Sequence, residues 1–391
     1  MTKKSDTPAI RFKGFTDTWE QRKAKELCSI GTGKSNTQDQ VDDGKYPFYI
    51  RSDVPVRSNK YLYDCEAVIT IGDGNIGKVF HYVNGKFDLH QRCYKMTDFQ
   101  DIWGKYFFYY FSTRFYDRAM KMTAKATVDS VRLEMISEMD IWKPIQIDEQ
   151  QKIAELFTNL DNLITLHQRK YDKLTNVKKS MLEKMFPKNG SNVPEIRFKG
   201  FTEAWEQRKL GELADIVGGG TPSTGVSDFW DGDIDWYVPA EIAEQIYLTS
   251  SQRKITEEGY NHSSAKMLPV GTVLFTSRAG IGKTAILTRK GCTNQGFQSI
   301  VPHKGELDSY FIFSRTEELK QYGETVGAGS TFVEVSGKQM ANMELMMPKT
   351  MAEQKIIGQY FANLDHLITL HQRELEKLKN IKKSCLENMF V

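Results

Sequence analysis

The sequence predicts a mixed α/β (α+β) protein with two domains, a long antiparallel two-helix coiled coil and a pseudo-two-fold internal repeat. Three observations predict this fold class: two segments occur twice, the longer one has coiled-coil periodicity, and unlike sequences lie between the copies. A chain of 391 residues is long enough for two or three domains. Its 40% hydrophobic and 26% charged residues are typical of a folded, globular protein.

The repeated segments frame each half of the chain. Residues 10–27 match residues 196–213 at 14 of 18 positions, and residues 149–186 match residues 353–390 at 24 of 38 positions. The sequences between these frames have diverged. Matched frames predict one task performed twice, and divergent middles predict two related but different tasks.

The repeat also divides the chain into segments. The predicted linker is rich in Gly, Asn and Pro, which disfavour regular structure. We predict a first domain with the shared N-terminal segment, a first spacer helix, the linker, a second domain and a second spacer helix: residues 1–148, 149–186, 187–195, 196–352 and 353–391.

The shared endings are predicted to be long helices. Their apolar residues recur at alternating spacings of four and three, which is the pattern of a coiled-coil seam. Thirty-eight residues in a helix extend about 57 Å, at about 1.5 Å per residue. We predict that the two helices pack on each other through these seam residues: Ile153, Phe157, Leu160, Ile164, His167, Leu174, Ile357, Phe361, Leu364, Ile368, His371, Leu375 and Leu378.

Two matched histidines occupy seam positions. An antiparallel, end-to-end pairing sets residue 149 against residue 390 and predicts that His167 and His371 lie within about two helical turns, roughly 11 Å, of each other. We interpret them as polar residues that fix the register rather than as a metal site.

Both middles have the pattern of α/β structure. Short runs rich in β-branched and aromatic residues predict strands, and an aromatic helix follows them in each half, over residues 103–116 and 309–322. The predicted strands are residues 46–50, 67–71 and 78–83 in the first middle and 235–238, 272–276 and 284–287 in the second.

The second middle carries the most specific motifs. These are Gly220-Thr221-Pro222-Ser223, the run from Phe229 to Trp236, the run from Leu268 to Leu274, Gly280-Ile281-Gly282-Lys283, and the run from Thr293 to Phe297. In this order they resemble the target-recognition domain of the specificity subunits of type I restriction–modification systems. The first middle keeps Tyr46-Pro47-Phe48 and Gly77-Lys78 but lacks the G-T-P-S stretch. Together with the shared helices, the resemblance extends over nearly the whole chain.

The resemblance implies a function. In that family each variable domain reads one half of a split sequence in double-stranded DNA, and the paired helices set the distance between the halves. The conserved regions dock two adenine-methyltransferase subunits, and restriction/translocase subunits join the complex. It further implies that S-adenosylmethionine, ATP and Mg²⁺ bind the partner subunits and that this chain binds no cofactor itself.

Side chains that read base edges are most often Arg, Lys, Asn and Gln. Glycines in loops allow a close approach to a DNA backbone. We therefore predict DNA contacts from nine loop residues: Lys34, Arg51, Arg57, Lys78, Arg92, Arg253, Arg278, Lys283 and Gln295.

Other chemistry is disfavoured by the motifs. Residues 72–77 match G-x-G-x-x-G, but the next residues favour a strand, whereas a dinucleotide site needs a helix there. Residues 278–284 resemble a P-loop without its first glycine, and neither a methyltransferase motif nor a His/Cys metal pattern occurs. We thus predict no metal site and no catalytic residue, which argues against a stand-alone nuclease or methyltransferase.

A non-catalytic coiled-coil scaffold without sequence readout remains the alternative. It explains the helices but not the divergence of the middles. The net charge of +3 is too small to indicate a DNA partner by itself. The scattered cysteines and the absence of a signal peptide or apolar span predict a cytoplasmic protein without membrane contact.

Overall fold

The computed structural model describes residues 6–123, 130–188, 190–242, 245–278, 280–328 and 334–391. Asn189 of the predicted linker and Ala279 of the second glycine-rich loop lie outside these residues. The chain forms two compact units: unit 1 comprises residues 1–168 and 373–391, and unit 2 comprises residues 169–372. These limits cut both long helices, so they differ from the predicted segment boundaries, which stay a prediction.

Unit 1 combines eight strands with three short or medium helices and parts of two long ones. Its strands are β1 (Glu20–Lys23), β2 (Ser29–Thr32), β3 (Tyr46–Tyr49), β4 (Val56–Ser58), β5 (Tyr63–Ile71), β6 (Phe80–Leu89), β7 (Cys93–Thr97) and β8 (Asp140–Lys143). The helices are α1 (Ala24–Leu27), α2 (Gly104–Thr123), α3 (Leu133–Ser137) and the long α4 (Ile147–Lys184).

The main sheet of unit 1 has six strands in the order β2-β7-β5-β6-β3-β4, and β1 pairs with β8 in a separate ribbon. The aromatic helix α2 packs on this sheet and supplies much of the core, including Tyr106, Phe107 and Phe111, all fully buried. The three strands predicted in this half are present, although β6 begins at Phe80 rather than at residue 78.

Unit 2 repeats this plan with additional strands. Its strands are β9 (Glu206–Lys209), β10 (Ala214–Gly218), β11 (Trp230–Tyr237), β12 (Tyr247–Leu248), β13 (Arg253–Ile255), β14 (Val273–Phe275), β15 (Thr284–Leu287), β16 (Gly291–Thr293), β17 (Gln298–Pro302) and β18 (Glu344–Met347). Its helices are α5 (Leu210–Leu213), α6 (Glu257–Asn261), α7 (Ser309–Ser314), α8 (Thr316–Gly327), α9 (Gly337–Ala341) and the long α10 (Met351–Asn388).

The strands of unit 2 form a five-stranded sheet (β10-β17-β14-β15-β12), a three-stranded sheet (β13-β11-β16) and the ribbon β18-β9. The single aromatic helix predicted over residues 309–322 is wrong, because the structure has two helices that meet at Arg315. The backbone of Arg315 leaves the helical region (φ −93°, ψ 17°), and its buried guanidinium is bound by Glu318 and by the Met346 carbonyl.

The two long helices each have 38 residues. Helix α4 begins and ends two residues before its predicted limits, and α10 begins two residues and ends three residues before them. The residues that follow the helical bounds, Met185-Phe186 and Met389-Phe390, are buried. Burial of these apolar pairs accounts for the earlier end of each helix, since their side chains enter the adjoining cores.

The helices run antiparallel within each unit. In unit 1 the Phe157 ring stacks on Phe390 with centroids 5.5 Å apart, and Lys382 Nζ donates to Asp161 Oδ1 at 2.5 Å. Unit 2 has the matched contacts, Phe361 with Phe186 at 5.9 Å and Lys178 Nζ with Asp365 Oδ1 at 2.5 Å. The predicted fold class, with its antiparallel helix pair and internal repeat, is therefore confirmed.

The seam residues lie on the covered sides of the helices. Seven are buried: Ile153, Phe157, Leu160, Ile357, Phe361, Leu364 and Leu375. Six are partly exposed: Ile164, His167, Leu174, Ile368, His371 and Leu378. Those near the start of each helix also pack on the aromatic helix of their own unit, so the seam is shared with the domain cores.

The predicted helix register is wrong by about one turn. It pairs residue 161 with 378 and residue 178 with 361, whereas the ion pairs join Asp161 to Lys382 and Lys178 to Asp365. A seam of alternating four and three spacings repeats every seven residues and does not by itself select one register. His167 belongs to unit 1 and His371 to unit 2, and their predicted proximity stays a prediction.

The two Tyr–Asp–Lys clusters allow a matched test of these contacts. Asp365 accepts hydrogen bonds from Tyr310 and Lys178 with its side chain 10% exposed, while Asp161 accepts them from Tyr109 and Lys382 at 36% exposure. We expect Asp365→Ala to lower the free energy of unfolding by about 2–4 kcal/mol and Asp161→Ala by about 1 kcal/mol. Urea denaturation measures both, and equal losses would contradict the role assigned to burial.

Candidate nucleic-acid interface

Three loops of unit 1 that are far apart in the sequence meet through backbone hydrogen bonds. The loop after β5 joins the loop before β7, because Gly72 N–H donates to the Arg92 carbonyl at 2.8 Å. The loop after β2 joins the same place, because Gln91 N–H donates to the Ser35 carbonyl at 2.9 Å. Candidate residues from three separate stretches of sequence therefore lie on neighbouring loops.

A charged cluster occupies this meeting point. The guanidinium groups of Arg92 and Arg51 bind opposite oxygens of the Asp73 carboxylate, at 2.7 and 3.2 Å. Burial raises the pKa of Asp73, but the two hydrogen-bonded guanidiniums outweigh it and hold the pKa below its usual value. Asp73 therefore stays charged and fixes both arginines, while the arginines keep an exposed side.

The remaining candidate residues of unit 1 differ in whether their side chains are free to contact DNA. Lys34 is exposed, and Lys78 is exposed with its Nζ 5.5 Å from the centre of the Tyr116 ring. Arg57 instead donates to the carbonyls of Gly44 and Lys45, each at 2.9 Å, and so stabilises the β3–β4 hairpin. A guanidinium with these backbone bonds has fewer donors left for DNA.

Unit 2 brings together the motifs that are most specific in the sequence. Thr221 Oγ1 donates to Gln295 Oε1 at 2.6 Å, and Gly220 N–H donates to the Thr293 carbonyl at 2.8 Å. Ser277 N–H, at the start of the second glycine-rich loop, donates to the Gly296 carbonyl at 2.8 Å. The G-T-P-S, G-I-G-K and N-Q-G segments thus form one surface cluster.

Two buried tryptophans hold the G-T-P-S loop in place. The indole N–H of Trp236 donates to the Gly220 carbonyl at 2.8 Å, and that of Trp230 donates to the Ser223 carbonyl at 3.2 Å. The Arg253 guanidinium lies 3.8 Å from the Trp230 ring centre and therefore covers this anchor. Arg253 is itself exposed, as are Arg278, Lys283 and Gln295 on the converging loops.

The loop clusters of the two units are equivalent. The bond from Gly72 to Arg92 matches the bond from Ser277 to Gly296. In addition, Asp73 forms a β-bridge with Ser130, as Arg278 does with Glu334. One backbone frame therefore presents Asp73 and Arg92 in unit 1 where it presents Arg278 and Gly296 in unit 2.

The sequence reasoning missed two members of the cluster. Gln91 is exposed at the position equivalent to Gln295, and the alignment of His90-Gln91-Arg92 with Asn294-Gln295-Gly296 contained the signal that identifies it. Asp73 is outside the residue types from which the candidates were chosen, which were Arg, Lys, Asn and Gln. Its contacts show that it binds two arginines.

The glycine-rich loops do not have the geometry of nucleotide-binding sites. Residues 72–79 join β5 to β6, and residues 276–283 join β14 to β15; both are antiparallel pairs. A phosphate-binding loop instead leads into a helix N-terminus. Within the described ranges, no cluster of three or more His, Cys, Asp or Glu side chains is placed to hold a metal ion.

The comparisons with known proteins agree with the tandem arrangement. The sequence profile of the type I restriction modification DNA specificity domain matches residues 16–176 and again residues 202–380. The chain therefore belongs to this family of DNA specificity proteins.

Two similar curated proteins come from Methanocaldococcus jannaschii. The type I restriction enzyme MjaIX specificity subunit is 35% identical over 192 residues, which is 48% of this chain and 44% of that protein. A putative type I restriction enzyme MjaX specificity subunit is 25% identical over 274 residues, which is 68% of this chain and 62% of that protein. The matches thus span roughly half of these curated relatives.

The fold has a solved counterpart. The crystal structure of the type I restriction-modification system S subunit from M. genitalium aligns with a TM-score of 0.69 at 14% identity, covering 98% of this chain and 99% of that one. Among the described residues, no helix combines the length and apolar character needed to cross a lipid bilayer.

Proposed function

We propose that this chain is the non-catalytic specificity subunit of a type I restriction–modification complex, and that each unit reads one half of a split sequence in double-stranded DNA. The observation that carries the proposal is the equivalent three-loop cluster in both units, which presents different exposed side chains on one backbone frame. A shared frame with altered side chains suits two readers of different base sequences.

The shared helices support a role in assembling the complex. Their matched sequences and matched contacts, such as Lys382 with Asp161 and Lys178 with Asp365, form two similar surfaces. Two similar surfaces suit two copies of one adenine-methyltransferase subunit, to which restriction/translocase subunits add. S-adenosylmethionine, ATP and Mg²⁺ then bind the partners, and the complex acts on DNA in the cytoplasm.

Exchange of one variable middle tests the proposal. Residues 28–148 are replaced by the corresponding middle of another specificity subunit, and the chain is expressed with its methyltransferase subunit. We expect the methylated motif to change in one half only, because the second loop cluster is untouched. Methyladenine mapping across the genome measures the motif.

The reciprocal exchange of residues 214–352 is the matched control and should change only the other half. A motif that changes in both halves, or in neither, contradicts the assignment of one half-site to each unit. Methylation that does not depend on this chain at all would favour a scaffold without sequence readout.

A further inference from the structure

The equivalent loop clusters differ most at one position of the loop before β7 or β17. Unit 1 has Arg92 there and unit 2 has Gly296. A Cβ at Gly296 would lie 2.6 Å from Pro239 Cγ, closer than non-bonded atoms approach. No side chain fits at Gly296, so unit 2 cannot present a base-reading group from this position.

In unit 1, Arg92 has the features of a reading group. Its side chain is 61% exposed, and its Nη1 donates to Asp73 at 2.7 Å. Because Asp73 also binds Arg51, the carboxylate is held from two sides and restricts the orientation of Arg92. A guanidinium has five N–H donors, so this bond leaves an edge free for a ligand.

In unit 2 the cation lies on the other loop. Arg278 takes the position of Asp73, is exposed, and has neither an ion pair nor a side-chain hydrogen bond to any residue that the structure describes. Between two loops that are joined by the same backbone bond, the arginine therefore lies on the loop before β7 in unit 1 and on the loop after β14 in unit 2.

We propose that a guanine in each half-site is read by an arginine, from opposite loops of the same pair: Arg92 in unit 1 and Arg278 in unit 2. This inference rests on the proposed function. An arginine reads guanine by donating two hydrogen bonds to O6 and N7 in the major groove. Because the two arginines lie on different loops of the cluster, we expect the guanine to occupy different positions in the two half-sites.

The test uses the full chain assembled with its methyltransferase subunits. The wild-type motif is first mapped, and duplexes are then made with 7-deazaguanine, which lacks the N7 acceptor, at each guanine in turn. Arg92→Ala and Arg92→Lys should each lower methylation of the normal duplex about 10- to 100-fold. Both should also become insensitive to 7-deazaguanine at one position in one half-site. Arg278→Ala and Arg278→Lys should do the same in the other half-site.

The controls separate base reading from charge and from folding. Arg22→Ala removes an exposed arginine far in sequence from the loops and should leave the motif unchanged. Lysine keeps the charge but not the planar pair of donors, so full activity of the lysine variants without any response to 7-deazaguanine in that half-site would indicate a phosphate contact and overturn the proposal. Thermal unfolding of each variant identifies any loss of methylation that comes from misfolding. If Arg92→Ala misfolds, Arg92→Gln is used in its place.

Two further results overturn the inference. One is a half-site without guanine, and the other is undiminished sensitivity to 7-deazaguanine in the variants. Either leaves the proposed function intact, provided that the wild-type motif is split and depends on this chain. If no split motif is methylated, the proposed function itself has failed.

Discussion

Arg197→Ala is expected to lower the free energy of unfolding of unit 2 by about 3–5 kcal/mol. Arg197 Nε and Nη2 donate to the two carboxylate oxygens of Glu353 at 2.7 and 2.9 Å, and the Trp205 indole N–H donates to Glu353 at 3.3 Å. The Glu353 side chain is 2% exposed. Without the arginine, a buried carboxylate loses its compensating charge, and this desolvated charge is the source of the loss.

Chemical denaturation of the full chain measures the effect, and two comparisons define its cause. Lys184→Ala, which breaks an exposed ion pair of the same unit with Glu195, should cost less than about 1 kcal/mol. The double variant Arg197→Met with Glu353→Leu should recover most of the loss, because no unpaired charge remains buried. If the double variant is no more stable than the single one, packing rather than charge explains the loss.

The pair has a matched counterpart in unit 1. Arg11 Nε and Nη2 bind Glu149 at 2.6 and 2.8 Å, again with a buried carboxylate. Arg11→Ala should therefore destabilise unit 1 by a similar amount. In both repeats this pair ties the I-R-F-K-G-F segment to the first turn of a long helix, which explains why these two distant segments are repeated together.

Phe157→Ala is expected to cost about 3–5 kcal/mol in unit 1. The Phe157 ring is fully buried, lies 5.1 Å from the Tyr109 ring and stacks on Phe390 with centroids 5.5 Å apart. It thus joins the aromatic helix α2 and the long helix α4 to the residues that follow α10. Its truncation removes aromatic contacts and leaves a cavity between α2, α4 and the segment after α10.

A leucine on the same helix provides the control for Phe157→Ala. The Leu163 side chain is 43% exposed, so Leu163→Ala should cost less than about 1 kcal/mol. Equal losses for the two variants in urea denaturation would show that helix propensity, not core packing, dominates at Phe157. Phe157→Leu should fall between them, since it retains part of the apolar volume.

Local sequence pattern was sufficient for both long helices, for the aromatic helix α2 and for six of the strands that the structure describes. Both long helices were predicted to within three residues at each end, because 38 residues of continuous apolar periodicity leave no alternative element. Strand β15 was predicted at its observed limits. The break at Arg315 was missed because the aromatic periodicity continues through it, while a buried guanidinium bound to another segment interrupts the backbone.

The site was predicted in part. Motif resemblance identified the G-T-P-S, G-I-G-K and N-Q-G segments, and the structure joins them through bonds such as Thr221 to Gln295. The choice among charged residues stays a prediction. Arg57 binds backbone carbonyls and Arg253 covers Trp230, so both have local structural contacts that a list of exposed cations does not reveal.

The sequence by itself determined the internal repeat, the two α/β domains and the paired helices, because matched segments and periodic apolar residues are properties of the chain alone. Only the tertiary structure decided the helix register and the grouping of the loops. The register depends on where buried acceptors such as Asp365 meet a lysine of the other helix, and a seven-residue repeat allows several such choices. The loops meet through contacts such as Arg51 and Arg92 with Asp73, whose partners are 22 and 19 residues apart and share no local pattern.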